Sequence, residues 1–195
     1  DYEGAQKLFE KAIAEDPAFV KAHYNRASMA AIQQDLDVMI EEFVWLKGAT
    51  DPDAERVLAK AKTDADFMGV SLVDDARTVM RLPLVKDTPL DQILLAYGGW
   101  WSGVDEGMMQ GWLEIQFAPK GKVKGRDHSG ESGEWYPWSG TWKVKDKTVT
   151  ITLGKKNKIA YKLVECADTS GVKGAHCLKR EDEGAWVTPG KHSDE

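Results

Sequence analysis

Seven of the eight tryptophans in this 195-residue chain lie beyond residue 99, at positions 100, 101, 112, 135, 138, 142 and 186. Indole rings stack on sugars, peptides and apolar molecules, so their directions decide what this half of the chain can bind. Alternation along a strand sorts most of them. Trp138 and Trp142 share the parity of Tyr136, Gly140 and Val144 and are expected inside a sheet. Trp112 keeps the parity of Glu114 and Gln116, and Trp135 that of Ser139 and Thr141, so both are expected outside. Trp100 and Trp101 are consecutive, and only one of them can point in. Trp101, Trp112 and Trp135 form the candidate aromatic surface, for a glycan, a peptide or an apolar ligand. The alternative is that loops or the helical half cover the outward rings, because aromatics bury large areas wherever two layers meet.

Cys166 and Cys177 are the only cysteines. A turn centred on Gly171-Val172 sets them opposite each other across a hairpin, at a separation a disulfide can bridge. Such a bond implies an extracytoplasmic compartment, periplasmic or secreted; two buried thiols in a cytoplasmic barrel are the alternative. The four histidines, at 23, 128, 176 and 192, fall on a helix, a turn, a strand and the tail, without a second metal ligand at helical or strand spacing. His176 points away from Cys177, which spoils a nucleophile–base pair. Neither a glycine-rich phosphate loop nor a Gly-x-Ser-x-Gly elbow is present. Asp105-Glu106 and Asp182-Glu183 are adjacent acids in turns, not a carboxylate pair in separately tuned environments. No catalytic residue, metal site or cofactor is expected, and the chain reads as a non-enzyme.

The elements that position these residues change character along the chain. Helical punctuation fills the first half: a helix from Tyr2 to Glu15, a second after Pro17 to Gln34, a third capped by Asp35 and closed at Gly48, and a fourth begun by Asp51-Pro52. Residues 64–75 read as a degenerate closing segment, and Pro83 and Pro89 bracket a linker. A short capped helix then runs from Thr88-Pro89 to Gly98. Beyond it the hydrophobic period falls from 3.6 to 2, with alternating runs around 113–117, 136–144, 149–153 and 159–163 separated by turn signals. This pattern predicts an antiparallel meander closed into a small barrel. Lys120, Lys122, Lys124 and Arg126, then Lys143, Lys145 and Lys147, then Lys155, Lys156 and Lys158 are expected in its turns, protecting sheet edges or meeting an anionic surface.

Two resemblances follow from particular residues. Ala5 and Phe9 lie four apart, Ala12 follows at helical spacing, Tyr2 precedes Ala5 by three, and Pro17 closes the segment. This resembles the A-x-x-x-F…P signature of the tetratricopeptide family. Ala27, Met39 and Phe43 occupy the family's alanine, alanine and phenylalanine positions in one complete repeat; Met39 is a departure that would push the helices apart. The resemblance covers residues 1–82 and implies a helical solenoid whose groove is lined by Lys21, Tyr24, Asn25, Ser28 and Ile32. Asn25 is foremost among them, because an amide can both donate to and accept from a peptide backbone. Gly140-Thr141-Trp142, beside Gly99-Trp100 and Gly111-Trp112, is similar to the glycine–tryptophan strands of lipocalin-like barrels, which implies a small apolar ligand in a barrel.

The expected fold is therefore α+β in two segregated parts: a helical repeat domain over 1–88, an antiparallel barrel over 89–190 and a tail over 191–195. The net charge of −6 resides in residues 1–90, with 17 acids against 11 bases, whereas residues 91–195 carry 15 of each. An acidic helical half argues against nucleic acid as a partner. The longest apolar run, Ile93–Tyr97, is far short of a membrane span. The chain begins at Asp1, inside a repeat and without a visible signal peptide, and reads as a processed chain or a fragment. The leading functional expectation is a bacterial, extracytoplasmic scaffold or adaptor that holds a protein or peptide with its helices and uses the barrel as a second contact. A ligand-binding barrel is the alternative, and a glycan held by outward tryptophans a third reading. A hollow barrel interior of about 300 Å3 or more favours the ligand reading; a filled one excludes it.

Overall fold

The computed structural model describes residues 2–105, 111–166, 172–182 and 184–191. The chain divides into two compact units, Asp1–Val85 and Lys86–Glu195. Glu106, Gly171, Glu183 and His192 lie outside the described residues.

The first unit is built from α1 (Tyr2–Glu15), α2 (Val20–Ile32), α3 (Leu36–Gly48), α4 (Pro52–Ala61), a 3-10 turn (Ala65–Val70) and α5 (Asp74–Val79). Capping side chains set several of these starts. The Asp35 carboxylate accepts from the Val38 N–H, and Asp51 accepts from the Asp53 N–H with Pro52 in the first turn, each satisfying a donor that no helical carbonyl reaches. Helix α2 ends at Ile32, two residues earlier than expected, because Gln34 takes a φ of 61° and turns the chain into α3. Ala22, Ala27, Ala30 and Ala31 are buried along α2, and Met39, Phe43 and Leu46 of α3 are buried too. Met39 is accommodated at 0% exposure. The Phe67 ring stands edge-on to both Phe43 and Tyr24, with centroids 5.4 and 5.9 Å away.

One buried polar cluster was not foreseen. His23, counted above as a helical position, sits 5% exposed with Nδ1 2.5 Å from Glu42 and Nε2 3.0 Å from the Pro17 carbonyl oxygen. Each ring nitrogen thus has an oxygen partner. The ring face stacks on Trp45 at 3.5 Å. Arg26 completes the cluster with an ion pair to Glu42, so the buried carboxylate is matched by a cation.

The second unit begins with α6 (Leu90–Leu95), which gives way to a 3-10 turn (Ala96–Gly99) where Tyr97 and Gly98 adopt positive φ. Eight strands follow: β1 (Trp100–Asp105), β2 (Gly111–Ala118), β3 (Lys122–His128), β4 (Trp135–Lys145), β5 (Thr148–Leu153), β6 (Asn157–Glu165), β7 (His176–Arg180) and β8 (Trp186–Pro189). Each pairs antiparallel with its neighbour, and β8 pairs with β1 to close the barrel. The expected antiparallel barrel is therefore present. Strand β3 was unforeseen because Lys122-Val123-Lys124-Gly125-Arg126 holds a single large apolar residue. Lys122, Lys124 and Arg126 lie on this strand, and Lys143 and Lys145 on β4, not in turns as expected. Cys166 and Cys177 are bonded, with Cα atoms 5.9 Å apart. Their hairpin register differs from the expected one, since Cys177 stands opposite Val164. The bond therefore joins residues on a diagonal of the ladder.

Gly103 makes the closing seam possible. A Cβ there would lie 1.9 Å from the Trp186 carbonyl oxygen across the β1–β8 pair. Gly103→Ala is expected to force these strands apart and cost the barrel more than about 3 kcal/mol in urea unfolding. A loss within about 0.5 kcal/mol would show that this seam is not held as described.

Candidate functional site

Cross-strand partners share a face, so the register assigns each barrel residue to the inside or the outside. The end nearest α6 is filled. Trp101, Ile115, Phe117, Ile151, Tyr161 and Leu178 all turn inward there and are at most 2% exposed. The Trp101 indole donates to the Leu94 carbonyl of α6 at 3.3 Å, and the Trp142 indole donates to the Ala118 carbonyl at 3.0 Å. These bonds fix two large rings as a floor.

Above this floor the interior is hollow. A cavity of about 530 Å3 is lined by the inward residues Gly111, Leu113, Asp127, Tyr136, Leu153, Asn157, Ile159 and Arg180, with Trp112, His128 and Ser129 at its rim. Leu113, Leu153 and Ile159 supply apolar walls. Asp127, Tyr136, Asn157 and Arg180 supply polar groups on the same interior face. Trp138 also turns inward, but its ring crosses beside Gly125, where a Cβ would meet it at 2.2 Å, and its indole donates to Asp127 at 2.9 Å. Trp138 is inside, as alternation implied, but the glycine opposite it lets the ring lie against the wall, and the space at this end stays open. Arg180 is steadied by Asp182 at 2.7 Å. Asp127 faces in while His128 faces out against Trp135, 4.9 Å between ring centroids, so this adjacent pair does not combine as base and orienting acid.

Outside the barrel, Trp112 is 40% exposed and Trp135 half-buried, as alternation implied. The Arg126 guanidinium lies 4.1 Å from the Trp135 ring centroid. Trp101 must be removed from the candidate aromatic surface: it is 1% exposed inside the barrel, and Trp100 takes the outward place.

In the helical unit, Lys21, Tyr24 and Asn25 line one groove of about 450 Å3 together with Arg56, Val57 and Lys60 of α4. Ser28 does not join them; it is 6% exposed and donates to Asp66. Ile32 is 38% exposed but lies outside the groove lining. Both share the helical stripe of Lys21 and Asn25, but Ser28 is taken up by Asp66 of the 3-10 turn, and Ile32 lies about two turns beyond Asn25, past the end of the groove. The Tyr24 hydroxyl donates to Asp64 at 2.7 Å, and Lys60 pairs with Asp64 at 2.9 Å while lying 4.9 Å over the Tyr24 ring. Burial alone raises the Asp64 carboxyl, but hydrogen bonds from Tyr24, Lys60 and the Asp66 N–H, with the Lys60 charge, outweigh it and hold the group below its usual range. Burial first, then the Asp64 hydrogen bond and the Asp64 and Asp66 charges, push the Tyr24 phenol well above its ordinary value. The α4 cations escaped the sequence reading because they come from the neighbouring helix; the Lys60–Asp64 spacing was the available signal.

Because the folded state favours ionised Asp64 more than the unfolded chain does, its contribution is complete above the ordinary aspartate value near 3.9 and is lost as pH falls through the lower folded value. Asp64→Asn is expected to cost about 1–2 kcal/mol at neutral pH, shrinking between about pH 5 and pH 3. Urea unfolding at both ends of that window checks this; an equal cost at each would contradict the assignment.

Among the described residues, no three His, Cys, Asp or Glu side chains gather as a metal site, and no helix is long and apolar enough to cross a membrane. Comparisons with protein-family models, curated proteins and solved structures each give no match to this chain.

Proposed function

We propose that the chain is a non-catalytic binding protein whose barrel holds a small amphipathic molecule in its open end. The observation that carries this reading is the hollow of about 530 Å3 above a filled floor. Its size falls within the roughly 300–1,000 Å3 of small-molecule sites. The expected apolar ligand is refined by the lining. An apolar body fits Leu113, Leu153 and Ile159, and a polar end reaches Tyr136, Asn157 or Arg180. The disulfide agrees with an extracytoplasmic setting, where such bonds persist.

A second reading keeps the helices as a scaffold surface for a protein or peptide, in line with the resemblance to tetratricopeptide repeats. It is favoured by the convergence of Lys21, Tyr24 and Asn25 on one groove. An extended peptide with acidic side chains suits the three bases there, and Asn25 is suited to its backbone.

For the barrel, the test is titration with 1-anilinonaphthalene-8-sulfonate, an amphipathic fluorophore. Ile159→Trp, which fills the hollow, is expected to weaken binding at least about tenfold with the circular dichroism unchanged. Equal binding by the folded variant would place the fluorophore elsewhere and sink the reading. For the helices, Lys21→Glu combined with Asn25→Ala is expected to weaken binding of a fluorescent Glu-rich peptide by a similar factor; unchanged anisotropy curves would remove the groove as the site.

A further inference from the structure

On the outer wall of the barrel, a hollow of about 320 Å3 is lined by Trp100, Glu114, Lys124, Gly125, Arg126, Pro137 and Lys191. It shares no lining residue with the interior cavity. The register explains the grouping. Trp100, Gln116 and Lys124 form one outward row across β1, β2 and β3, and Ser102, Glu114, Arg126 and Pro137 form the next across β1 to β4. Trp100 and Pro137 thus stand on opposite sides of the β2 and β3 backbones.

The charges are arranged unequally. Glu114 faces outward yet is 1% exposed, and its carboxylate takes the Arg126 Nε–H at 2.6 Å. That pairing commits Arg126. Lys124 and Lys191 are exposed, and their ammonium groups lie 5.8 and 5.5 Å from the Trp100 ring centroid. Among the described residues neither has a carboxylate within ion-pair range. Among the described residues two like charges therefore converge on one indole without an ion-pair partner of their own, each held to the ring by an interaction of modest strength at exposed sites.

We propose that this hollow is a binding site for an anionic sugar, a monosaccharide or disaccharide bearing a carboxylate or a sulfate. The sugar's flatter, less polar face stacks on Trp100 opposite Pro137, and the acid group bridges Lys124 and Lys191. An extended polyanion fits less well, because affinity for it needs a broad basic face, whereas the chain carries a net charge of −6 and this hollow admits only one or two rings.

Isothermal titration of the whole chain with glucuronic acid, glucose 6-sulfate and neutral glucose tests the site. Both acids, or one of them, are expected to bind, glucose at least about tenfold more weakly, and added salt to weaken the acids alone. Comparing the two acids identifies which group is preferred. Lys124→Gln with Lys191→Gln replaces two exposed side chains and is expected to abolish the preference for acids while leaving the interior fluorophore site intact. Trp100→Leu, checked for folding by circular dichroism, is expected to weaken both acids. No heat from either acid up to about 10 mM, or the same affinity in the double lysine variant, overturns the proposal.

Discussion

The barrel rests on one constraint: a closed antiparallel sheet allows each side chain only two directions, and the register chooses between them. The β1–β8 pair closes the ring of strands, and closure removes the edges that would otherwise seek partners. It also creates an interior whose filling depends on which residues meet at each level. At the α6 end those residues are Trp101, Phe117, Ile151 and Tyr161, and they fill it. At the other end glycines and shorter side chains meet polar ones, and space remains. The same register sends Trp100, Glu114 and Arg126 outward and groups them on one wall.

The helical unit obeys a different constraint. Small residues on α2 let α3 approach, and the polar groups caught in that approach must find partners. His23, Arg26 and Glu42 answer one another in the interior, and Tyr24, Lys60 and Asp64 do so at the groove. The groove is thus built on a wall whose aromatic ring is held from both sides. Such fixed surroundings reduce the entropy lost when a partner is bound.

Much of this was legible in the residues. Helix starts at Asp35 and Asp51 are local, because a capping carboxylate and the amide it satisfies lie within three positions. The alternation of 113–117 and 136–144 is also local, and it gave the directions of Trp112, Trp135 and Trp142. What escaped the reading was set by distant partners. Strand β3 has almost no hydrophobic signal and exists because β2 and β4 supply its hydrogen bonds. Trp101 and Trp100 could not be told apart until Leu94 gave the first of them an acceptor. Ser28 and Ile32 followed Lys21 and Asn25 by resemblance and share their helical stripe, yet Asp66 of the 3-10 turn takes up Ser28 and the groove ends before Ile32. Parity gave the direction of Trp138 but not its depth, since Gly125 across the sheet decides where its ring lies.

The central claim is that the barrel's interior is divided, filled at one end and hollow at the other, and that the hollow is where a small molecule binds. Methyl-resolved NMR during addition of the anilinonaphthalene sulfonate reads this division directly. Shifts at the methyls of Leu113, Leu153 and Ile159, with those of Ile115, Ile151 and Leu178 unmoved, are what the account requires. Shifts confined to the outer wall or the helices, or spread evenly through floor and mouth, would contradict it.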